Sequence, residues 1–170
     1  NPGAEYARGV QILEYTANGH DQRRQGNRHR YYAPQGVYRC RGEERRLALP
    51  VATDAQWSAL VQAMGSPAWA QQPRFATFRE RRQHHDDLDK LIEEWTSQHK
   101  VEELMARLQA AGVPAGVVAS NQDIHEDPQL KHRHHFWYVE HPVMGMVAHS
   151  SFAFLMSRTP LLAVTLVAAM

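Results

Sequence analysis

Apolar residues recur along this chain at helical spacing in four places and at strand spacing in several shorter ones. Over 4–17, Tyr6, Val10, Leu13 and Ala17 fall at i, i+4, i+7 and i+11, predicting one helical face that Asn18-Gly19 stops. Strands are predicted over 37–40 and 47–51, joined across a short turn carrying Gly42, hence a hairpin. Pro50 has no N–H to give a ladder, which places the second strand toward an edge. Thr53 or Asp54 then caps a helix with Trp57, Leu60, Val61 and Met64 at i, i+3, i+4 and i+7, ended by Gly65-Ser66-Pro67. Trp69, Phe75 and Phe78 lie in an irregular connector, 68–78, expected to be pinned onto the core. The helical pattern returns over 79–98, with Leu88, Leu91, Ile92 and Trp95 on one face. It returns again with Val101, Leu104, Met105, Leu108 and Ala111, and closes at Gly112 with Pro114 beyond. The stripes of these three later helices are expected to be core faces.

The last third is more broken. A short strand is predicted over 116–119, a brief helix capped by Asn121 or Asp123, and a turn opening at Asp127-Pro128. Two strands, 136–139 and 144–150, flank the turn His141-Pro142-Val143. Phe152, Phe154 and Leu155 alternate with smaller residues until Thr159-Pro160. Residues 161–170 are apolar apart from Thr165, too short to span a bilayer, and expected to be covered. The sum is an α+β fold, a helical cluster of about four helices with short antiparallel strands.

Composition narrows the function. With 170 residues the size prior is one domain. Nineteen Lys+Arg against 18 Asp+Glu leave a net charge of +1, without the basic excess of a nucleic-acid binder. A lone cysteine, Cys40, excludes an internal disulfide and fits a cytoplasmic setting; on a strand it is a small buried hydrophobe. No signal peptide or membrane span is predicted. Of the eleven histidines, His84-His85 and His132, His134 and His135 are clustered. Adjacent histidines point apart, so they are expected at the surface; zinc at 132–135 is the competing reading. Asp86, Asp87, Asp89, Glu93, Glu94, Glu102 and Glu103 fall in helical regions and are expected on a solvated face. The polar run 20–30, with Arg23, Arg24, Arg28 and Arg30, is either a solvated loop or one that meets an anionic ligand or acidic neighbouring domain. GxGxxG, GxxxxGK[ST] and GxSxG are all absent. The residues alone describe a small domain without a self-contained active site.

The order of segments carries a resemblance. GNRHRYYAPQGVYRCRGEERRLALPVATDAQWSAL, from Gly26, resembles a stretch of the class III CoA-transferases, the CaiB/BaiF family, which includes formyl-CoA and carnitine CoA-transferases. The likeness continues through QPRF (72–75), RRQHHDDLDKLIEEWT (81–96), LQAAGVPAGVV (108–118), EDPQL (126–130), EHPVMG (140–145) and SRTP (157–160). It implies a linker helix over 1–25, the family's small domain over 26–160 and an atypical apolar tail over 161–170.

In that family a large Rossmann-like domain holds CoA and supplies a catalytic aspartate, and the small domain closes over the acyl part of the thioester. No aspartate here sits in a matching motif, so no catalytic residue is carried over. The resemblance implies that Gly26, Asn27, Arg28, Ala33, Pro34 and Gly36 face the acyl-CoA substrate, with no tightly bound cofactor. It also implies a chain inactive without a large domain, and a homodimer, since family subunits interlock.

The chain also departs from the family's pattern. Where formyl-CoA transferases have a mobile glycine-rich loop, residues 30–35 read RYYAPQ, a stiffer stretch that points away from that subtype. No pattern like that of the related alpha-methylacyl-CoA racemases follows the hairpin, which points away from that subtype as well. After Pro160 the chain reads LLAVTLVAAM in place of the polar re-entry segment the resemblance leads one to expect, which resembles a truncated or frame-altered gene or a deliberately cut chain. A stand-alone dimerising or binding module, or a relic without activity, is the alternative.

Overall fold

The hairpin predicted from the alternation in residues 37–51 is present. A computed structural model describes residues 2–21, 26–151 and 158 and divides the chain into two units, Asn1–Val118 and Ala119–Met170. In the first unit, α1 (Pro2–Asn18) precedes the hairpin β1 (Gln35–Arg39) and β2 (Arg46–Pro50), and then come α2 (Asp54–Ala63), α3 (Phe78–Gln83), α4 (His85–Thr96), α5 (Val101–Ala110) and β3 (Gly116–Val117). The fold is α+β, as expected. The four helices of ten or more residues, α1, α2, α4 and α5, match the four expected, and short helices are added between them.

β1 and β2 pair antiparallel with Gly36 opposite Leu49 and Tyr38 opposite Leu47, and β3 pairs with Leu47 and Ala48. The strand order is β1-β2-β3, so β2 is the middle strand and not an edge. Pro50 is tolerated for a geometric reason. Cys40 N–H reaches the Arg45 carbonyl, which fixes the alternation so that position 50 directs its nitrogen away from β1. On that side β3 has already ended, so no ladder bond is lost.

Side chains from this sheet meet those of α2, α4 and α5 in one core. It includes Leu47, Leu49, Val51, Trp57, Leu60, Phe75, Leu88, Ile92, Leu104 and Leu108. Each such Leu, Ile or Phe contributes about 1.5–3 kcal/mol by leaving water. Phe75 anchors the connector, which forms two 3-10 turns, with Trp69 edge-on to it at 5.8 Å. Helix ends follow local chemistry. Thr53 and Gln56 form a capping box at the start of α2. Gly65 and Gly112, both at positive φ, close α2 and α5 with paired bonds to Gln62 and Gln109, followed by Ser66 to Val61 and Val113 to Leu108.

The single helix expected over 79–98 is two. His84 (φ −104, ψ 29) breaks the spiral between α3 and α4. The break frees α4 to lie along the open edge of β1, where its polar residues stand in for a fourth strand. The Gln35 amide faces His85 Nε2 at 3.3 Å, Arg39 N–H donates to Glu93 Oε1 at 3.2 Å, and Thr96 Oγ1 donates to the Arg39 carbonyl at 2.7 Å. His85 and Thr96 are buried, which corrects the surface placement expected for His85.

In the second unit, α6 (Asn121–Glu126) and α7 (Pro128–His132) precede a hairpin of β4 (Phe136–His141) and β5 (Gly145–Ser150). Ser120, and neither Asn121 nor Asp123, is the cap of α6, with Asp123 completing the box. Asp127 caps α7 ahead of Pro128. The side chains of Tyr6 and Val10, together with Arg23, Arg24, Phe152, Phe154, Leu155, Thr159, Pro160 and residues 161–170, lie outside the described residues.

Candidate functional site

Residues 26–34 form a strap anchored at its downstream end. At the upstream end Gly26 takes φ +63, a conformation open to glycine. At the downstream end Ala33 and Pro34 are buried and stitched to β2's exit, with Ala33 N–H donating to the Val51 carbonyl and Val51 N–H to the Pro34 carbonyl, both at 2.9 Å. Beneath them lies Arg81, 1% exposed. Its Nε donates to the Ala33 carbonyl (3.0 Å), its Nη1 to the Phe75 carbonyl (3.3 Å) and its Nη2 to Asp54 Oδ1 (2.6 Å), while the guanidinium lies 5.0 Å from the Trp57 ring centre. A buried charge is tolerated when it is paired and hydrogen-bonded in this way.

Upstream of that anchor the strap is held by two arginines. Arg28 Nη2 reaches Asp86 Oδ1 at 2.5 Å and Asp89 Oδ2 at 2.9 Å, and Arg30 Nη1 reaches Glu14 Oε1 at 2.8 Å. The Arg30 contact, with His20 and Asn18 adding to it, holds the Glu14 carboxyl at about 2. Arg28 likewise lowers Asp86. Asp86 lies on the solvated face expected of it, 80% exposed, and Asp89 is half-buried; both receive the strap. Asp89 also accepts a 2.7 Å bond from the Tyr38 hydroxyl, whose ionisation is pushed up by burial and then by that carboxylate.

Against the strap's upstream half lies a cleft of about 340 Å³ lined by Gly26, Asn27, Arg28, Gln35, Gly36, Val37, Ala48, Leu49 and Pro50. A second, about 310 Å³, shares the first six of these and adds Tyr38, Asp89, Lys90 and Glu93. Of the six residues singled out in the sequence, Gly26, Asn27, Arg28 and Gly36 meet on these walls. Ala33 and Pro34 lie below, as the strap's anchor. Sequence reasoning missed Gln35, whose Oε1 is buried without a hydrogen-bond partner among the described residues. It also missed Tyr38, Asp89 and Arg81. The spacing of His85, Asp89, Glu93 and Thr96 on one side of a helix was the available signal.

Chemically these walls can position and cover a ligand. The Tyr38 hydroxyl is held protonated and Asp89 is already shared by two donors, while the Cys40 thiol, raised by burial, lines neither cleft. Among the described residues no group of three His, Cys, Asp or Glu could hold a metal ion.

Residues 4–168 match the sequence profile of CoA-transferase family III. The chain belongs to that family. Its relatives in family III include the succinyl-CoA–D-citramalate CoA-transferase of Chloroflexus aurantiacus, 32% identical over 149 residues, which cover 88% of this chain and 37% of that enzyme. The formyl-CoA:oxalate CoA-transferase of Streptomyces coelicolor is 35% identical over 89 residues, covering 52% of this chain and 22% of that one. Among solved structures, a CaiB/BaiF family protein from Brucella suis superposes with a TM-score of 0.70 at 27% identity, over 85% of this chain and 41% of that protein. The chain thus spans well under half the length of these relatives.

Proposed function

We propose that this chain is the part of a family III CoA-transferase that lids the acyl-CoA site, with the catalytic carboxylate supplied by polypeptide outside it. The observation that carries this is the strap. Four of the residues singled out in the sequence line one cleft beside a segment anchored at its downstream end and tied by Arg28 and Arg30, and the carboxylates on its walls, Asp89 and Glu93, already accept bonds from Arg28, Tyr38 and the Arg39 N–H. Family chemistry moves CoA through a covalent carboxylate intermediate, and a lid that lacks the carboxylate can cover the thioester but not attack it. CoA thioesters are the substrate class, and no tightly bound cofactor is called for. The buried, unpaired Cys40 supports a cytoplasmic setting, and no described helix is long and apolar enough to cross a membrane.

The test is an acyl-CoA transfer assay on the purified chain with succinyl-CoA and formyl-CoA as donors and free carboxylic acids as acceptors. No turnover is expected; robust turnover by the chain alone would overturn the assignment. Exposed apolar side chains favour a second reading, a dimerising module. Ile12, Leu13 and Tyr15 stand out on α1, as do Val143, Met144 and Met146 at the β4–β5 tip. Light scattering separates the two, because a strict 19.4 kDa monomer removes the dimerising module.

A further inference from the structure

We propose that His85 is a proton-operated catch on the downstream end of the strap, holding Gln35 when neutral and releasing it to grip Asp89 when protonated. Its Nε2 lies 3.3 Å from the Gln35 amide nitrogen and 3.5 Å from Asp89 Oδ1. One ring nitrogen therefore faces a donor and an acceptor at once, and its proton decides between them. With the proton on Nδ1 only, Nε2 accepts the Gln35 N–H and completes the edge of β1 directly after Pro34. With Nε2 protonated, the ring donates to Asp89 and the Gln35 N–H is left facing another donor.

The second state also disturbs the strap's middle, because Asp89 Oδ1 already accepts from Tyr38 and Asp89 Oδ2 from Arg28. The charged and titratable groups around the ring are Asp86 and Asp89 from α4, Arg28 from the strap and the Tyr38 hydroxyl from β1. Arg81 of α3 is engaged by Ala33, Phe75 and Asp54. Burial favours the neutral ring more strongly than Asp89 favours the charged one, which keeps His85 below the ordinary histidine range. A histidine lowered on folding stabilises the fold above its unfolded value of about 6.5 and loses that contribution as pH falls through the folded one. The catch is closed at neutral pH and opens on acidification.

This inference rests on the reading of the strap as a lid only for its consequence. Its readout is structural, so it stands or falls without a transferase assay. The measurement is a heteronuclear NMR titration of the chain from pH 7.5 to 5. The Gln35 amide and the His85 ring are expected to shift together, with a common midpoint below 6.5, while the Leu108 amide in the core stays put. In His85→Gln, whose carboxamide can accept the Gln35 N–H but does not titrate, the Gln35 shift is expected to vanish. In Asp89→Asn, His85 is expected to titrate at lower pH than in the wild type. A Gln35 amide that ignores pH in the wild type, one that still titrates in His85→Gln, or an unmoved His85 midpoint in Asp89→Asn would overturn the proposal.

Discussion

Arg81 Nε donates to the carbonyl of Ala33 at 3.0 Å, joining residues 48 apart in sequence. That bond ties the strap's anchor to a buried guanidinium, which in turn ties it to the connector and to the start of α2. Replacing Arg81 with Leu would fill the volume but leave the Ala33 and Phe75 carbonyls without their donors. A buried polar group left unsatisfied costs about 1–3 kcal/mol, so Arg81→Leu is expected to lose at least that much in denaturant unfolding. Asp54→Asn keeps an oxygen to accept the Nη2 bond but leaves the buried guanidinium without its carboxylate, so it too should destabilise measurably.

Gly36 carries a prediction about packing. A β-carbon built there would lie 2.8 Å from Tyr38 Cζ and 2.9 Å from its hydroxyl, and that ring is 3% exposed and tethered to Asp89. Gly36→Ala should therefore destabilise by about 1–3 kcal/mol, the usual cost of overpacking. Combined with Tyr38→Phe, which removes the hydroxyl, the loss should be smaller than the sum of the single changes, read as the coupling term of a double-mutant cycle.

Apolar faces were legible in the sequence and polar networks were not. Trp57 and Leu60, Leu88 and Ile92, and Leu104 and Leu108 all point inward as their spacing implies. What escaped was polar and interior. Arg81 reads as one more charge in a run RERR, because periodicity scores a charged residue as surface whatever its partners. That Asp86 and Asp89 receive Arg28 was hidden, because Arg28 is some 60 positions away and no local rule links them. The cap at Ser120 was in fact visible as Ser-Asn-Gln-Asp, a capping-box spelling. The break at His84 had no such signal, since neither Gly nor Pro marks it. Half of the candidate site, Gly26–Arg28 and Gly36, was accessible through resemblance. Gln35, Tyr38 and Asp89 come together only in the fold, across residues some 50 positions apart.

The Arg30–Glu14 contact predicts a pH dependence of known sign. Glu14 is held at about 2, below its ordinary 4.5, so the contact is intact above 4.5 and is lost as pH falls toward 2. Carbon-detected NMR of the Glu14 carboxyl should give a midpoint near 2, and Arg30→Gln should raise it toward the ordinary range. A midpoint near 4.5 in the wild type would contradict the contact.

Arg28 makes two ion pairs that are partly open to water, and exposed pairs contribute about 0.2–1 kcal/mol each. Arg28→Ala is thus expected to change global stability by about 2 kcal/mol at most while loosening the strap. Limited proteolysis should show faster cleavage within residues 26–32 than in the wild type, with at most a modest fall in the unfolding midpoint.

The central claim is that this strap lids a thioester held elsewhere. The most direct measurement grafts this chain in place of the matching segment of the succinyl-CoA–D-citramalate CoA-transferase of Chloroflexus aurantiacus, with which it shares 32% identity over 149 residues. CoA transfer is then assayed with and without residues 28–32. The account predicts a folded chimera that transfers CoA and loses at least ten-fold in rate when the strap is shortened. A folded chimera whose transfer is indifferent to the loss of the strap would contradict it.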